Sequence, residues 1–518
     1  MKLLSLLPLL CFSFVYGKAQ TVERDTIIRD SGNVNRQLKE IKKEKAAQFS
    51  DSAAHAPSRK GLDSSLYNSY GDLLNDDPVY NPKAPVWKPL FGVIRSDLST
   101  FLMDRYVLKY DFSQKVGFSS WAYNIKNGWE WDRDRFGVNF IGHPYSGTLS
   151  FNAARTSGYT YLQSFPFAVA GSLIWEYFGE TTKPSYNDLI NTSINGSFLG
   201  EVLYRLSSNI LDDRSTGAQR FFRELFAGII NPERGFSRLM SGKTHRHTDK
   251  EIYQKDRLNI ALYAGAMHFN AYPIDPYFKT APTDGILNVQ LDYGNPFESR
   301  HRKPFDLFRL RVDFSFGVGR KILDNINGYG ILLGKNFETN SGKAALLGLF
   351  QYYDYWDNST FELGSLGFGA GVITRLPLSQ KSKSNLYTAF HVALVPFAGA
   401  STRFGPDSSQ LRDYSFGGGL ESKLEISGNI GNVATATLVA YHYWLHTYEG
   451  LKENNSIAIL KPRFTFHLVG NLSIGYEHAL YYNDVHSTGL PDAHLTRNEQ
   501  KVFLMLYLED RQRRGHYN

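Results

Sequence analysis

His143, Ser146, Glu176 and Glu180 are the side chains of this sequence whose types and spacing could do chemistry. A histidine beside a carboxylate can serve as general base to a hydroxyl, here that of Ser146. A histidine beside two carboxylates also has the donor types for a divalent metal. Glu176 and Glu180 are four residues apart, so a helix carries both on one face. Asp188 follows at the start of the next helix-like stretch, and Asn152, Arg155, Glu201 and Arg205 add polar groups that could grip a ligand. Glu201 and Arg205 have the spacing of an ion pair on one helix. No HExxH, GxSxG or Cys/His cluster accompanies them. The sequence therefore assigns no cofactor and no metal. The competing reading is a hydrogen-bonded network that pins the helices, because a lone buried charge is expensive.

The elements that must position these groups lie between about residues 78 and 250. A proline-rich stretch opens this segment, with Pro78, Pro82, Pro85 and Pro89 around Trp87, and is expected to lie against the body without forming helix. Three helices are expected over 165–179, 185–211 and 216–230. Ser185 and Asp188 form a capping pattern at the second, and Asn231–Pro232 reads as the N-cap and first residue of a fourth, closed near Gly242. Thr192, Gly196 and Gly200 make a small-residue groove, and Ala168 and Ser172 are the expected facing stripe. Arg220, Arg223, Arg234 and Arg238 with Phe221, Phe222 and Phe226 form a basic aromatic stretch. His245 and His247 read as solvated loop.

Within this block GHPYSG (142–147), FNAARTSGY (151–159), SLIWEYFGE (172–180), PSYND (184–188) and NGSFLGEVLYR (195–205) occur in succession. The block from about Phe140 to Leu206 thereby resembles an envelope family, domain of unknown function 3943. That resemblance implies a location and an architecture and no activity.

From about residue 251 to 518 the pattern changes to period two. In Leu307–Gly319 one face carries Phe308, Leu310, Val312, Phe314, Phe316 and Val318, and the other Arg309, Arg311, Asp313 and Ser315. About twelve such segments predict a transmembrane antiparallel β-barrel, apolar toward lipid and polar toward its lumen. Arg309, Arg311 and Asp313 are expected to line that lumen, Tyr352–Trp356 and Tyr441–Trp444 to form interfacial girdles, and Asp324–Gly328 to be a turn. The fold class is thus mainly β, a barrel preceded by a compact α-helical block. Residues 1–20 read as a cleaved signal peptide, with Lys2 before an apolar run that holds the sole cysteine, Cys11, and 21–77 as a disordered polar leader. The expected location is the outer membrane of a Gram-negative cell.

Net charge is +7 and aromatics make up 14% of the chain. Nothing in the sequence points to nucleic acid; the expected partners are outer-membrane lipid and a periplasmic protein. Three functions stay open. They are binding or transport of an amphiphile or envelope component, an envelope lipid-modifying enzyme using His143 with Glu176 and Glu180, and a structural or assembly role. The helical block is expected as a plug or a periplasmic body.

Overall fold

Alternation of apolar and polar residues from Leu258 onward does build a wall of strands. The computed structural model describes Leu73, residues 75–271 and residues 283–509, apart from 299–301, 318–320, 340–341, 359, 380–383, 402–413 and 490. The residues read as a signal peptide, and nearly all of those read as a polar leader, lie outside the described residues. Twelve antiparallel strands close into a barrel: β1 Leu258–Ala271, β2 Thr283–Tyr293, β3 Phe308–Phe316, β4 Leu323–Glu338, β5 Ala344–Asp357, β6 Glu362–Ser379, β7 Ser384–Ser401, β8 Tyr414–Ile430, β9 Ala434–Glu449, β10 Glu453–Val469, β11 Leu472–Ser487 and β12 Ala493–Leu508. Each pairs with its sequence neighbours, and β1 pairs with β12, so the wall has no free edge.

Cross-barrel contacts identify the inside. Arg309 on β3 bonds Glu425 on β8, five strands away, which only inward-pointing side chains can do. The same face carries Lys423 bound to Asp354, Arg463 bound to Glu477, and Lys501 bound to Glu499. Arg309, Arg311 and Asp313 therefore face the lumen, as their spacing implies. Trp356, Leu363, Val395, Tyr443, Leu445, Ile457 and Tyr481 pack together as an apolar core on that same inner side. The cavity left beside Arg309, His391 and Lys423 has a volume of about 30 Å³, room for a water or two. The described lumen is filled by its own side chains.

Two readings of this wall need correction. Asp324–Gly328 is strand, not turn: Asn325 and Asn327 point inward and donate to Asp313 and Asp354, so their polarity reflects the lumen. Tyr352–Trp356 is not an interfacial girdle either. Tyr352 and Trp356 fill the lumen side, while Tyr353 and Tyr355 are covered on the outer side.

Among the described residues nine α-helices precede the barrel: α1 Trp87–Leu102, α2 Asp111–Lys115, α3 Phe118–Lys126, α4 His143–Arg155, α5 Tyr161–Phe178, α6 Tyr186–Ile190, α7 Gly196–Ile210, α8 Gly217–Ile230 and α9 Pro232–Met240. π-helical turns extend α1 over Met103–Leu108, lead into α4 over Val138–Gly142, and join α6 to α7 over Asn191–Asn195. Pro78, Pro82 and Pro85 stay out of helix, as expected, whereas Trp87 and Pro89 open α1. Pro89 falls in the first turn of α1, where its missing N–H has no intrahelical partner to lose. Asn231 caps α9 by accepting the Arg234 N–H at 3.0 Å. Ser185 makes no side-chain cap for α6.

α4 is the centre of the block. Gly147 meets α7's approach so closely that a β-carbon would lie 1.8 Å from the Thr192 carbonyl oxygen. Gly196 and Gly200 also face α4, at Gly147 and Phe151. The small-residue groove is thus real, but α4 fills it and α5 does not.

The block neither plugs the lumen nor stands apart from the wall. It packs on the outer face of β3 to β8. Phe198 touches Tyr353 and Phe305, Phe140 touches Phe397 and Tyr414, and Phe136 touches Tyr355. Asn139 donates to the Tyr414 hydroxyl at 2.6 Å, and Gln351 donates to the Ile194 carbonyl at 3.0 Å. Arg205 pairs with Asp306 at 3.2 Å. Against a surface that lipid would otherwise cover, apolar burial alone gives little drive, so close packing and these hydrogen bonds hold the block in place.

Candidate functional site

The π-turn before α4 carries His143 to the first position of that helix, with Pro144 behind it. Glu176 stands near the end of α5, and Asp188 within α6. Their ligand-type atoms, one from each, lie within 4.8 Å of one another, and all three residues are buried. His143 Nε2 is 3.3 Å from Asp188 Oδ1, and its Nδ1 is 3.3 Å from Thr192 Oγ1. The loop between α5 and α6 fixes Glu176: the Ser185 N–H donates to its Oε2 at 2.7 Å. That loop is itself tied down, because the Glu130 N–H donates to the Pro184 carbonyl and the Tyr186 N–H to the Glu130 carbonyl.

A second set of polar groups surrounds these three. Asn187 donates to Asp132 at 2.7 Å, to Asn139 at 3.1 Å and to Asp188 at 2.8 Å, while the Asp132 N–H donates to Asn187 at 3.0 Å. Glu180 accepts from Trp175 at 2.8 Å and Thr182 at 3.1 Å. Asn124 donates to the main-chain oxygens of Glu176 and Glu180, tying α3 to the end of α5. The Oε1 atom of Glu176 is buried with no hydrogen-bond partner.

The electrostatics are one-sided. Among the described residues no lysine or arginine forms an ion pair with Glu176, Glu180 or Asp188. Burial pushes Glu176 and Asp188 well above the usual carboxylate range, with the Glu180 charge adding to the first and Asp132 to the second. Glu180 is pushed up to about 7, by burial and then by Asp134. Burial lowers the His143 imidazole to about 4 against the opposing pull of Asp132. Burial thus disfavours the charged form of both partners in the His143–Asp188 contact.

The other candidate residues part company with this cluster. No hydrogen bond joins Ser146 to His143, whose side chain contacts Thr192 and Asp188 instead. Asn152 donates to the Gly200 carbonyl at 3.1 Å and so locks α4 to α7. Arg155 and Arg205 both bind Glu201, at 2.6 and 2.8 Å, so the expected Glu201–Arg205 pair is part of a larger ion network. Arg220 and Arg238 bind Asp213 and Glu224, and Arg234 binds Asp76; these arginines are buried partners inside the fold. Sequence reasoning missed Asp132, Asn139 and Asn187. Asn187 sits beside Asp188 in PSYND, and Asp132 lies in the acidic, aromatic run WEWDRD, which has no periodicity to mark it.

Residues 128–233 match the family model described as Domain of unknown function (DUF3943). This segment carries the DUF3943 domain. It takes in α4 to α8 and all three residues of the cluster. No curated protein matches the sequence. Among solved structures, the TodX monoaromatic hydrocarbon channel deltaS2 mutant aligns at 7% identity, covering 49% of this chain and 89% of that one, with a TM-score of 0.21. The transport unit of the autotransporter AIDA-I from Escherichia coli aligns at 13% identity, 53% and 96% coverage and a TM-score of 0.21. OccAB3 from Acinetobacter baumannii aligns at 8% identity, 49% and 99% coverage and a TM-score of 0.17. Such overlaps add nothing to the strand register.

Proposed function

We propose that this protein is an outer-membrane barrel whose DUF3943 domain binds an amphiphile or other envelope component at the lipid face of the wall. One observation carries the reading: the helical block that holds the domain packs on the barrel's outer side and exposes apolar side chains of its own. On α1, Trp87, Phe91, Ile94, Leu98 and Leu102 are all exposed, at spacings of three and four that make one stripe. Phe221, Phe222, Leu225 and Ile229 on α8 are exposed as well. The uncovered part of the wall presents Phe464, Phe466, Ile474, Leu480, Val502 and Leu504 in the same way, as a lipid-facing belt would. Apolar helices next to such a belt can accept acyl chains, and the His143 cluster supplies a polar counterpart for a headgroup.

The filled lumen supports binding on the wall over passage through it. Photoreactive phospholipid in reconstituted vesicles tests this reading. Adducts are expected on α1 and α8, and adducts confined to β9–β12 would overturn it. A second reading, a lipid-modifying enzyme, draws on the grouping of His143 with Glu176. Lipid A and phospholipid profiles that are identical for wild type and His143→Ala would dispose of it.

A further inference from the structure

We infer that His143, Glu176 and Asp188 form a binding site for one divalent transition-metal ion of the zinc class. The inference rests on the same cluster as the proposed polar grip, but its test needs no amphiphile, so either can fail alone. The donor set is one imidazole nitrogen and two carboxylate oxygens, a set suited to such ions that leaves a coordination position open for water or a ligand oxygen.

Three observations point to a cation. First, the atoms are already spaced for one. Two ligands bound tetrahedrally at about 2.0 Å stand about 3.3 Å apart, and His143 Nε2 and Asp188 Oδ1 are 3.3 Å apart. All three donors fall within 4.8 Å, so a small ion could draw them in with side-chain adjustments alone.

Second, Glu176 presents a buried oxygen, Oε1, that nothing in the protein satisfies. An orphaned buried acceptor is costly, more so when charged, and is explained if a cation or its water is its partner. The neighbouring Oε2 is held by the Ser185 N–H, which fixes the carboxylate with its other oxygen free.

Third, the outer groups match what metal ligands require. Thr192 Oγ1 beside His143 Nδ1 can accept the proton there, leaving the Nε2 lone pair toward Asp188. Asn187 donates to Asp188 Oδ1 and is held in turn by Asp132. Ligands hydrogen-bonded by such outer partners are oriented before the ion arrives. The three ligands come from α4, α5 and α6, so the ion would tie these three helices together.

The full-length protein, purified in detergent, stripped with a chelator and titrated with Co²⁺ and then Zn²⁺, tests this. Wild type is expected to bind one Co²⁺ per chain with visible absorption of a four-coordinate ion, displaced by Zn²⁺. His143→Ala and Glu176→Gln are expected to bind at least 10-fold more weakly, while Asp97→Asn, remote from the cluster, binds like wild type. Glu176→Gln keeps an acceptor for the Ser185 N–H and carries the test if His143→Ala fails to fold, with helical circular dichroism as the check. Failure of wild type to bind one ion, or equal binding by folded Glu176→Gln, overturns the site.

Discussion

The ring of Phe140 lies over the bare backbone of Gly364, where a β-carbon would stand 2.2 Å from its Cδ1 atom. Gly399 on the next strand flanks the same ring, with its β-carbon position 2.5 Å from Cε2. The barrel wall is therefore shaped to receive one side chain of the DUF3943 domain. Gly364→Ala is expected to force the ring out at a cost of about 1–3 kcal/mol, the usual range for overpacking. Limited trypsin digestion should then release the helical domain faster, while the barrel keeps its heat-modifiable gel mobility. Release at the wild-type rate would show that the ring does not anchor the domain.

Inside the wall, Lys423 is shared by Asp354 and Glu421, the latter at 3.5 Å. Removing one partner of a buried ion pair leaves an uncompensated charge and costs about 3–5 kcal/mol. Lys423→Met is expected to lower the temperature at which the folded gel band disappears, and adding Asp354→Asn should recover part of the loss. Because the lumen is filled, wild type in planar bilayers is expected to pass no steady open-pore current. A stable wild-type conductance would contradict the packed interior.

The barrel was legible in the sequence because its two faces meet different surroundings, and alternation records that difference. The two faces of β3 follow from it, whereas at Asn325 and Asn327 lumen polarity imitates turn chemistry. The position of the helical domain was not legible. Leu310 and Phe308 look alike whether lipid or Phe198 covers them, since both neighbours are apolar. His143 and Glu176 stand out in the sequence because charge is conspicuous in apolar helices. Asp188 meets them only through contact across α4, α5 and α6, which has no sequence period. Ser146 is near His143 in the chain, which is a poor guide to direction once the helix turns.

Asp97 on α1 is buried, and its Oδ2 has no hydrogen-bond partner. Burial raises its carboxyl to about 8, so the folded protein holds a proton there that the unfolded chain releases near 3.8. The sign follows directly: between those values the native state binds more protons, and stability falls as pH rises, by up to about 1.4 kcal/mol per unit. Asp97→Asn keeps the shape and removes the titration. Thermal unfolding of the helical signal should drop from pH 5 to pH 8.5 in wild type and change less in the variant. Equal slopes would mean that Asp97 is ionised in the fold.

Glu201 works in the opposite direction. Burial alone would raise its carboxyl, but Arg155 and Arg205 together hold it below the ordinary 4.5. Its contribution is present above that value and is lost as pH falls through the lower folded pKa. Glu201→Gln leaves two buried guanidiniums around a neutral amide, a loss of about 3–5 kcal/mol by the cost of breaking a buried pair. Arg205 also binds Asp306 and the Pro304 carbonyl, so the damage reaches the seat of the domain on the barrel. Acid titration of the helical circular dichroism separates these effects. Wild type should lose signal below pH 4.5, whereas Glu201→Gln should be weaker at pH 7 and flatter toward acid. A variant as stable as wild type at pH 7 would show that the two arginines are satisfied without Glu201.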